Sequence, residues 1–334
     1  MTDTILKKID GILKQANFET LLLDEFCNKK NKFCFDLLVK KENSIFSVKI
    51  FPNIDNLSPE IINDIKSLSL LLKSKPLLIG IRNRYQNLED NTIYIREGLP
   101  FISFNTLENI LTRNIYPHLL TRRGGGVIFL DGNLMKEIRE KKVISRKELS
   151  EKLGVTKRTV YSYENETLRP SEKIAEKISS ILNSSDIFKK INILDWSFKF
   201  ELEQKENIEE RDLSPFEHHI EEIIKDIGIY SYWYKKGPTP FKLSLYSDIN
   251  RKVQKPNFYP IFSGISEEQK KINAPNIRYL RTFTKLFHKN ALFIINNDVK
   301  ISESLKKEKI PIVRIKDLEE IDDEEEFIEL IQES

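Results

Sequence analysis

The segment Ile144–Asn165, ISRKELSEKLGVTKRTVYSYEN, constrains the fold more than any other part of the chain. Ser145 is a good N-cap, and Glu148 three residues on completes a Ser-x-x-Glu capping box. The helix it opens runs from Arg146 to Leu153, with Leu149 and Leu153 four apart on one face. Gly154 stands where a helix ends on a left-handed residue, and Val155 tucks under the turn. Thr156 is the next N-cap, and a second helix continues from Lys157 to Glu164. In it Val160 and Tyr163 face Leu149 and Leu153, while Lys157, Arg158, Tyr161 and Ser162 face outward.

Two short helices joined by a tight turn place the second where it can enter the DNA major groove. The outward residue types suit that use: Arg and Lys pair with guanine edges or phosphates, and Ser serves either. Upstream, Leu130–Glu140 reads as a helix with Leu134 and Ile138 inward. Downstream, Pro170-Ser171 opens another with Ile174, Ala175, Ile178, Ile181 and Leu182 inward. A compact domain of four or five helices over residues 130–190 is expected.

The order cap, apolar, turn glycine, apolar, cap, apolar, Tyr-Glu-Asn resembles the Cro/repressor-type helix-turn-helix family. Leu149, Gly154, Val155, Thr156, Val160, Tyr163, Glu164 and Asn165 carry the resemblance, followed by Arg169-Pro170-Ser171. It implies DNA contacts from Arg146, Thr156, Lys157, Arg158 and Ser162. Ser145 and Tyr161 complete the candidate DNA-binding set. The structural set is Leu149, Leu153, Gly154, Val155, Val160, Tyr163 and Glu164. Two positions depart from the family: Arg146 stands where Gln is common, and Glu166 where Gly is common. The first suggests a phosphate contact, the second an altered turn.

A chain of 334 residues implies two or three domains, each with its own core. The net charge is only +3, but it is unevenly placed: Asn133–Asn183 holds twelve basic and eight acidic residues. Such a local excess suits phosphate binding. Asp317–Glu333 holds ten acids and no base, yet Phe327, Ile328, Leu330 and Ile331 give it an apolar stripe, so it reads as a packed helix with a solvated face. Cys27 and Cys34 form no CxxC pair, which argues against structural zinc and a disulfide framework, and favours a reduced, cytoplasmic chain. No apolar run reaches the ~18 residues of a membrane span. The N-terminal residues form an amphipathic helix with Ile5, Ile9, Ile12 and Leu13 inward, without a signal-peptide cleavage site.

Flanking the helical segment are two α/β stretches. The first reads as a helix, a strand at Glu19–Asp24, and a hairpin of Lys32–Lys40 and Ser44–Phe51. A Ser58-capped helix to Lys73 follows, then strands at Leu77–Ile81, Ile93–Ile95 and Phe101–Phe104 and a helix at Thr106–Leu111. The second has a helix from Ser214-Pro215 to Ile227, then strands at Ile229–Tyr234, Phe241–Tyr246 and Phe258–Ser263. A helix from Pro275 to His288, strands at Ala291–Ile295 and Ile312–Ile315, and a helix at Leu318–Ile331 complete it. The repeated order, with LLKSKPLLIG echoed by LFHKNALFII, suggests duplication. Linkers are expected at Arg122–Gly126 and Glu201–Asp212. Gly124–Gly126 is no phosphate loop, because no Gly-Lys-Ser/Thr follows.

The helix–hairpin–helix–strand order resembles the PD-(D/E)XK restriction-endonuclease-like fold. That resemblance implies two carboxylates holding Mg²⁺ to activate water, with a lysine stabilising developing charge. Asp36 fits the first acid and Lys49 the lysine, but Ser47 occupies the place of the second carboxylate. In the second copy Lys242 replaces the acid, and Ser263-Gly264-Ile265 replaces Glu-x-Lys. Both read as catalytically silent scaffolds, with Asp36 a strand-end acid paired to a nearby lysine. His118, His218, His219 and His288 read as helix-surface or core-edge residues; the adjacent His218-His219 cannot chelate like an i, i+4 pair. Trp196, Trp233, Tyr232 and Tyr234 are core or interface aromatics before they are base-stacking platforms. Gly-x-Ser-x-Gly is absent.

The expected fold is α/β plus all-α. A restriction-endonuclease-like domain spans 1–120, the helix-turn-helix domain 130–190, and a second, smaller α/β domain of similar topology 213–334. The layout resembles an archaeal group of helix-turn-helix transcriptional regulators. It implies a cytoplasmic, sequence-specific, DNA-binding regulator rather than an enzyme, needing no cofactor or metal. It would act as a homodimer on double-stranded DNA, with the transcription machinery a further candidate partner and no membrane association. The alternatives are a Mg²⁺-dependent nuclease targeted by the helical domain, and an adapter that does not read sequence.

Overall fold

The computed structural model describes residues 2–22, 34–122, 125–200, 213–234, 241–247, 258–267, 274–301 and 309–333. Cys27, Arg123-Gly124 and the expected linker Glu201–Asp212 lie outside them. The chain forms two compact units. One comprises Met1–Asn17, Lys49–Asn56 and Leu77–Ser197; the other comprises Phe18–Val48, Leu57–Pro76 and Phe198–Ser334.

The chain begins with α1 (Thr2–Gln15), β1 (Glu19–Leu22), β2 (Leu37–Lys41), β3 (Ser44–Asn53) and α2 (Pro59–Leu72). Then come β4 (Ser74–Arg82), β5 (Thr92–Arg96), β6 (Leu99–Ile102), α3 (Phe104–Arg113), β7 (Leu119–Arg122) and β8 (Gly125–Ile128). The strands form one sheet in the order β1-β2-β3-β4-β6-β5-β7-β8. Ser58 caps α2, accepting the Ile61 amide at 3.4 Å, and Pro59 occupies a first-turn position where its missing N–H costs nothing. The buried face of α2 is Ile61, Ile62, Ile65, Leu68, Leu71 and Leu72, as its spacing requires, with Asp64 buried among them. The helix after β6 starts two residues earlier than the sequence suggests, because Ser103 caps it and accepts the Thr106 amide at 3.0 Å.

Within the first unit the register fixes strand directions. β4 and β6 are parallel, with Ile79 beside Ile102; β5 and β6 are antiparallel, with Tyr94 opposite Phe101. β5 and β7 are parallel, with Thr92 beside Leu119. β7 and β8 are antiparallel, pairing Leu119 with Ile128 and Arg122 with Gly125. The glycine-rich stretch expected to be a linker is therefore flanked by a paired hairpin that extends the sheet.

Beyond β8 come α4 (Gly132–Lys141), α5 (Arg146–Leu153), α6 (Lys157–Glu164) and α7 (Glu172–Leu182). Leu119 and Ile128 share one core with Leu130, Met135, Leu149, Leu153, Val160, Tyr163, Ala175, Ile178, Leu182 and Ile187. Backbone hydrogen bonds reinforce the junction. Ile128 N–H donates to the Pro170 carbonyl (3.1 Å), Asp131 N–H to Ile187 (2.8 Å), Lys189 N–H to Phe129 (2.7 Å) and Ile191 N–H to Pro117 (2.7 Å). Paired backbone on both sides of Ile128–Asp131 leaves the helices no free swivel about the sheet. On α4 the expected inward residues Leu134 and Ile138 are only partly buried, and the buried positions are Gly132, Met135 and Arg139.

The second unit contains β1, β2, α2 and the C-terminal elements. These are α8 (Pro215–Asp226), β9 (Tyr230–Trp233), β10 (Leu243–Tyr246), β11 (Ile261–Ser266), α9 (Ala274–Phe287), β12 (Asn290–Ile295), β13 (Ile312–Arg314), α10 (Ile315–Glu319) and α11 (Glu324–Glu333). Their sheet runs β13-β12-β11-β10-β9, antiparallel among β9, β10 and β11 and parallel among β11, β12 and β13. Ser214 and Glu217 form a full capping box on α8. The single helix expected over Leu318–Ile331 is two, α10 and α11, because Asp323 accepts the Glu325 and Glu326 amides (2.8 and 3.0 Å) and starts a new helix. Trp233 and Tyr234 are core residues, and the Tyr232 hydroxyl donates to Asp64 on α2 at 2.9 Å. Burial holds both tyrosines protonated well above their ordinary range.

Gly132 marks the tightest approach of α4 to α6: a Cβ there would lie 2.0 Å from the Glu164 carbonyl oxygen. Backbone cannot yield as a side chain can, so Gly132→Ala is expected to cost about 1–3 kcal/mol, the usual range for overpacking. Denaturant unfolding of the full chain checks this; an unchanged midpoint would contradict it.

Candidate nucleic-acid interface

The helix pair closes as the caps dictate. Ser145 Oγ accepts the Glu148 amide at 3.1 Å, and Thr156 Oγ1 accepts the Thr159 amide at 3.1 Å. Only half of the expected capping box forms, because the Glu148 carboxylate reaches forward to Lys152 at 3.0 Å. Gly154 ends α5 at φ +71°, where an L side chain would be strained, and Val155 N–H donates to the Ser150 carbonyl at 3.0 Å. Leu149, Leu153, Val160 and Tyr163 are all buried, and Val155 packs partly against them.

Ser145, Thr156, Lys157, Arg158 and Tyr161 are exposed, and Ser162 is half-buried. Lys157 and Arg158 sit in the first turn of α6, which carries no acid. That placement opposes the helix dipole, which favours negative charge at an N-terminus by about 0.3–1 kcal/mol per group. The same end presents unpaired backbone N–H groups, so dipole and side chains together favour an incoming anion such as a phosphate.

Arg146 is turned elsewhere. Its Nε donates to Glu164 Oε2 at 2.6 Å, and its guanidinium lies 5.3 Å over the Tyr161 ring. Glu164 Oε1 accepts Arg139 Nε, also at 2.6 Å, and Arg139 Nη1 donates to the Ile144 carbonyl at 2.8 Å. Glu164's side chain is 1% exposed, Arg139's 6% and Arg146's 30%. One buried carboxylate thus ties α4, α5 and α6 together. Arg139 gave no signal in the sequence, since its partner is 25 residues away. Glu166 takes φ +59°, the left-handed conformation that the resembled family supplies with Gly, and its carboxylate bonds Gly132 N–H (3.2 Å) and Lys189 Nζ (2.5 Å). The Lys189 hydrogen bond holds the Glu166 carboxyl below the usual carboxylate range.

A divalent metal of the kind the nuclease-like fold implies finds a poor donor set. Asp36 is half-buried, with its N–H donating to the Val48 carbonyl at 2.8 Å. Ser47 is buried, and its hydroxyl has no hydrogen-bond partner among the described residues. Lys49 is buried on β3. Among the described residues, no three His, Cys, Asp or Glu side chains are arranged to hold a metal. In the second unit Lys242 pairs with Glu217, and Ser263 is buried. His118 stacks on Phe188 with ring centroids 5.2 Å apart, and His219 bonds Glu319 at 2.7 Å. Among the described residues, no helix is long and apolar enough to cross a membrane.

Removing one partner of a buried ion pair leaves an uncompensated charge, typically costing about 3–5 kcal/mol. Glu164→Ala, which strands Arg139, is expected to cost that much; Arg146→Ala, at a partly solvated site, should cost clearly less. Equal losses for the two variants in denaturant unfolding would contradict the arrangement.

The family model described as PD-(D/E)XK superfamily domain matches residues 2–117, and that described as helix-turn-helix matches residues 135–187. A protein of Methanobrevibacter smithii is 29% identical over 98% of this chain and 96% of its own length. One from Methanococcus vannielii is 29% identical over 99% and 98%, and one from Thermococcus kodakarensis 26% over 98% and 95%. Each is named "Putative HTH-type transcriptional regulatory protein". The chain is thus similar to the PD-(D/E)XK superfamily domain in its first third and to the helix-turn-helix family after it, and along nearly its whole length to archaeal proteins named as transcriptional regulators.

Proposed function

We propose that the chain is a sequence-specific DNA-binding transcriptional regulator that reads the major groove with α6. The observation that carries this is the exposed Lys157-Arg158 pair at the N-terminus of a helix held by a buried ion pair and a shared core. Basic residues placed against the dipole are a local cost that an anionic partner removes. Thr156, Tyr161 and Ser162 are further contacts, and Ser145 lies at the start of α5 where a phosphate would pass. Arg146 acts by fixing Glu164 and Tyr161 rather than by reaching a base.

One recognition helix reads only a few base pairs, so a homodimer on two half-sites one helical turn apart would supply the missing affinity. The chain divides into a nuclease-like part (1–120), a helical part (130–190) and a second α/β part (213–334), and acts in the cytoplasm with no cofactor. Duplication of the α/β parts is supported by strand order: β1-β2-β3-β4-β6 and β9-β10-β11-β12-β13 each combine an antiparallel trio with a final parallel pair. The transcription machinery is a further partner on this reading.

The PD-(D/E)XK match supports a second reading, a Mg²⁺-dependent nuclease targeted by the helical domain. Ser47, standing in place of a second carboxylate beside Asp36, argues against it. Cleavage of duplex DNA that needs Mg²⁺ and is lost in Asp36→Ala would establish it.

Lys157→Ala or Arg158→Ala is expected to cost about 1–3 kcal/mol of binding and to relax base preference if the residue reads a base. Uniform weakening across sequences would instead mark a phosphate contact. Unchanged DNA binding in both variants would sink the proposal.

A further inference from the structure

Resting on the reading of α6 as the DNA-contacting helix, we infer that the turn Arg82–Asn87, after β4, is a second DNA contact that grips the phosphate backbone beside the α6 site. Arg82 and Arg84 are exposed, and neither guanidinium has a protein partner among the described residues. Tyr85 between them is 87% exposed. An aromatic ring left in water on a loop gains nothing from the fold, and Arg and Tyr are side-chain types that bond phosphate.

The turn is built rather than slack. Asn83 is buried, and its Oδ1 accepts the Tyr85 and Gln86 amides, each at 2.8 Å. Its own amide donates to the Gln86 carbonyl at 2.8 Å, and Leu88 N–H donates to Ile81 at 3.0 Å. Arg84 N–H donates to Asp55 Oδ2 at 2.8 Å, while Asp55 Oδ1 is held by the buried Arg96 at 2.6 Å. The nearby acids are engaged: Glu89 accepts from Gln86 Nε2 (2.8 Å), and Asp90 from Ser103 (2.7 Å) and Asn105 (3.1 Å). The two guanidiniums therefore project from a fixed frame.

Register places that frame. Stepping from β4 to β6, β5, β7 and β8 puts the Arg82 end of β4 at the same end of the sheet as Thr92, Leu119 and Ile128. That is the end where β8 leaves for α4 and where the backbone bonds fasten the helices to the sheet. Four strand spacings of ~4.8 Å separate β4 from β8, about 19 Å in all. A duplex turn extends about 34 Å, longer than the β4–β8 offset, so a duplex engaged by the helices that follow β8 has the length to reach the Arg82 end of β4.

The test uses the full chain and a mixed-sequence duplex of about 36 bp, more than three turns long. Binding is followed by fluorescence anisotropy between about 50 and 200 mM salt. The double variant Arg82→Ala/Arg84→Ala should weaken binding at least about fivefold and flatten the log–log salt slope by about 2, one unit per lost phosphate contact. Its unfolding midpoint should not move, because both side chains lie in solvent. Unchanged affinity and slope, with Lys157→Ala/Arg158→Ala still weakening binding, would overturn the loop contact and leave the α6 reading standing. Failure of the unaltered chain to bind the duplex would overturn both.

Discussion

The Glu164 carboxylate accepts one guanidinium on each oxygen, and the rest of the helix pair depends on it. An isolated carboxylate buried to 1% exposure would cost several kcal/mol, and the two arginines offset that cost only in one geometry. Because Arg139 is on α4 and Arg146 on α5, satisfying Glu164 fixes the angle at which α6 leaves the domain. Non-directional apolar contacts among Leu149, Leu153, Val160 and Tyr163 would tolerate several such angles; the ion pairs select among them. Gly132 belongs to the same constraint, since only a residue without Cβ lets α4 approach the Glu164 carbonyl.

A second constraint joins that domain to the sheet. β8 pairs with β7, then passes Ile128, Phe129 and Asp131 into backbone bonds with Pro170, Lys189 and Ile187. Leu119 and Ile128 contribute to the helical core itself. Within this unit α6 shares its core and backbone hydrogen bonds with the sheet, so the loops at that end are placed relative to α6 by the same contacts. The α/β part of this unit then has a physical use as a frame, apart from any chemistry at Asp36.

Much of the helix pair was legible because caps are local: Ser145, Gly154 and Thr156 act on amides or dihedrals within a few residues. The left-handed Glu166 was visible only as a departure from Gly. What escaped the sequence depends on distant partners. Arg139 looks like any surface helix cation until Glu164 is placed against it. Arg122–Gly126 reads as a linker because it is glycine-rich, yet Arg122 ends β7 and Gly125-Gly126 open β8, strands of four residues that are made by pairing with each other and with β5. The break between α10 and α11 is hidden because the apolar stripe continues across it while Asp323 restarts the helix.

On the function proposed above, this chain reads DNA sequence. Selection of bound duplexes from a random pool by the full chain tests it most directly. Enrichment of a defined motif is expected, as two half-sites about 10 bp apart centre to centre if two copies bind. A selected pool indistinguishable from the input would contradict it.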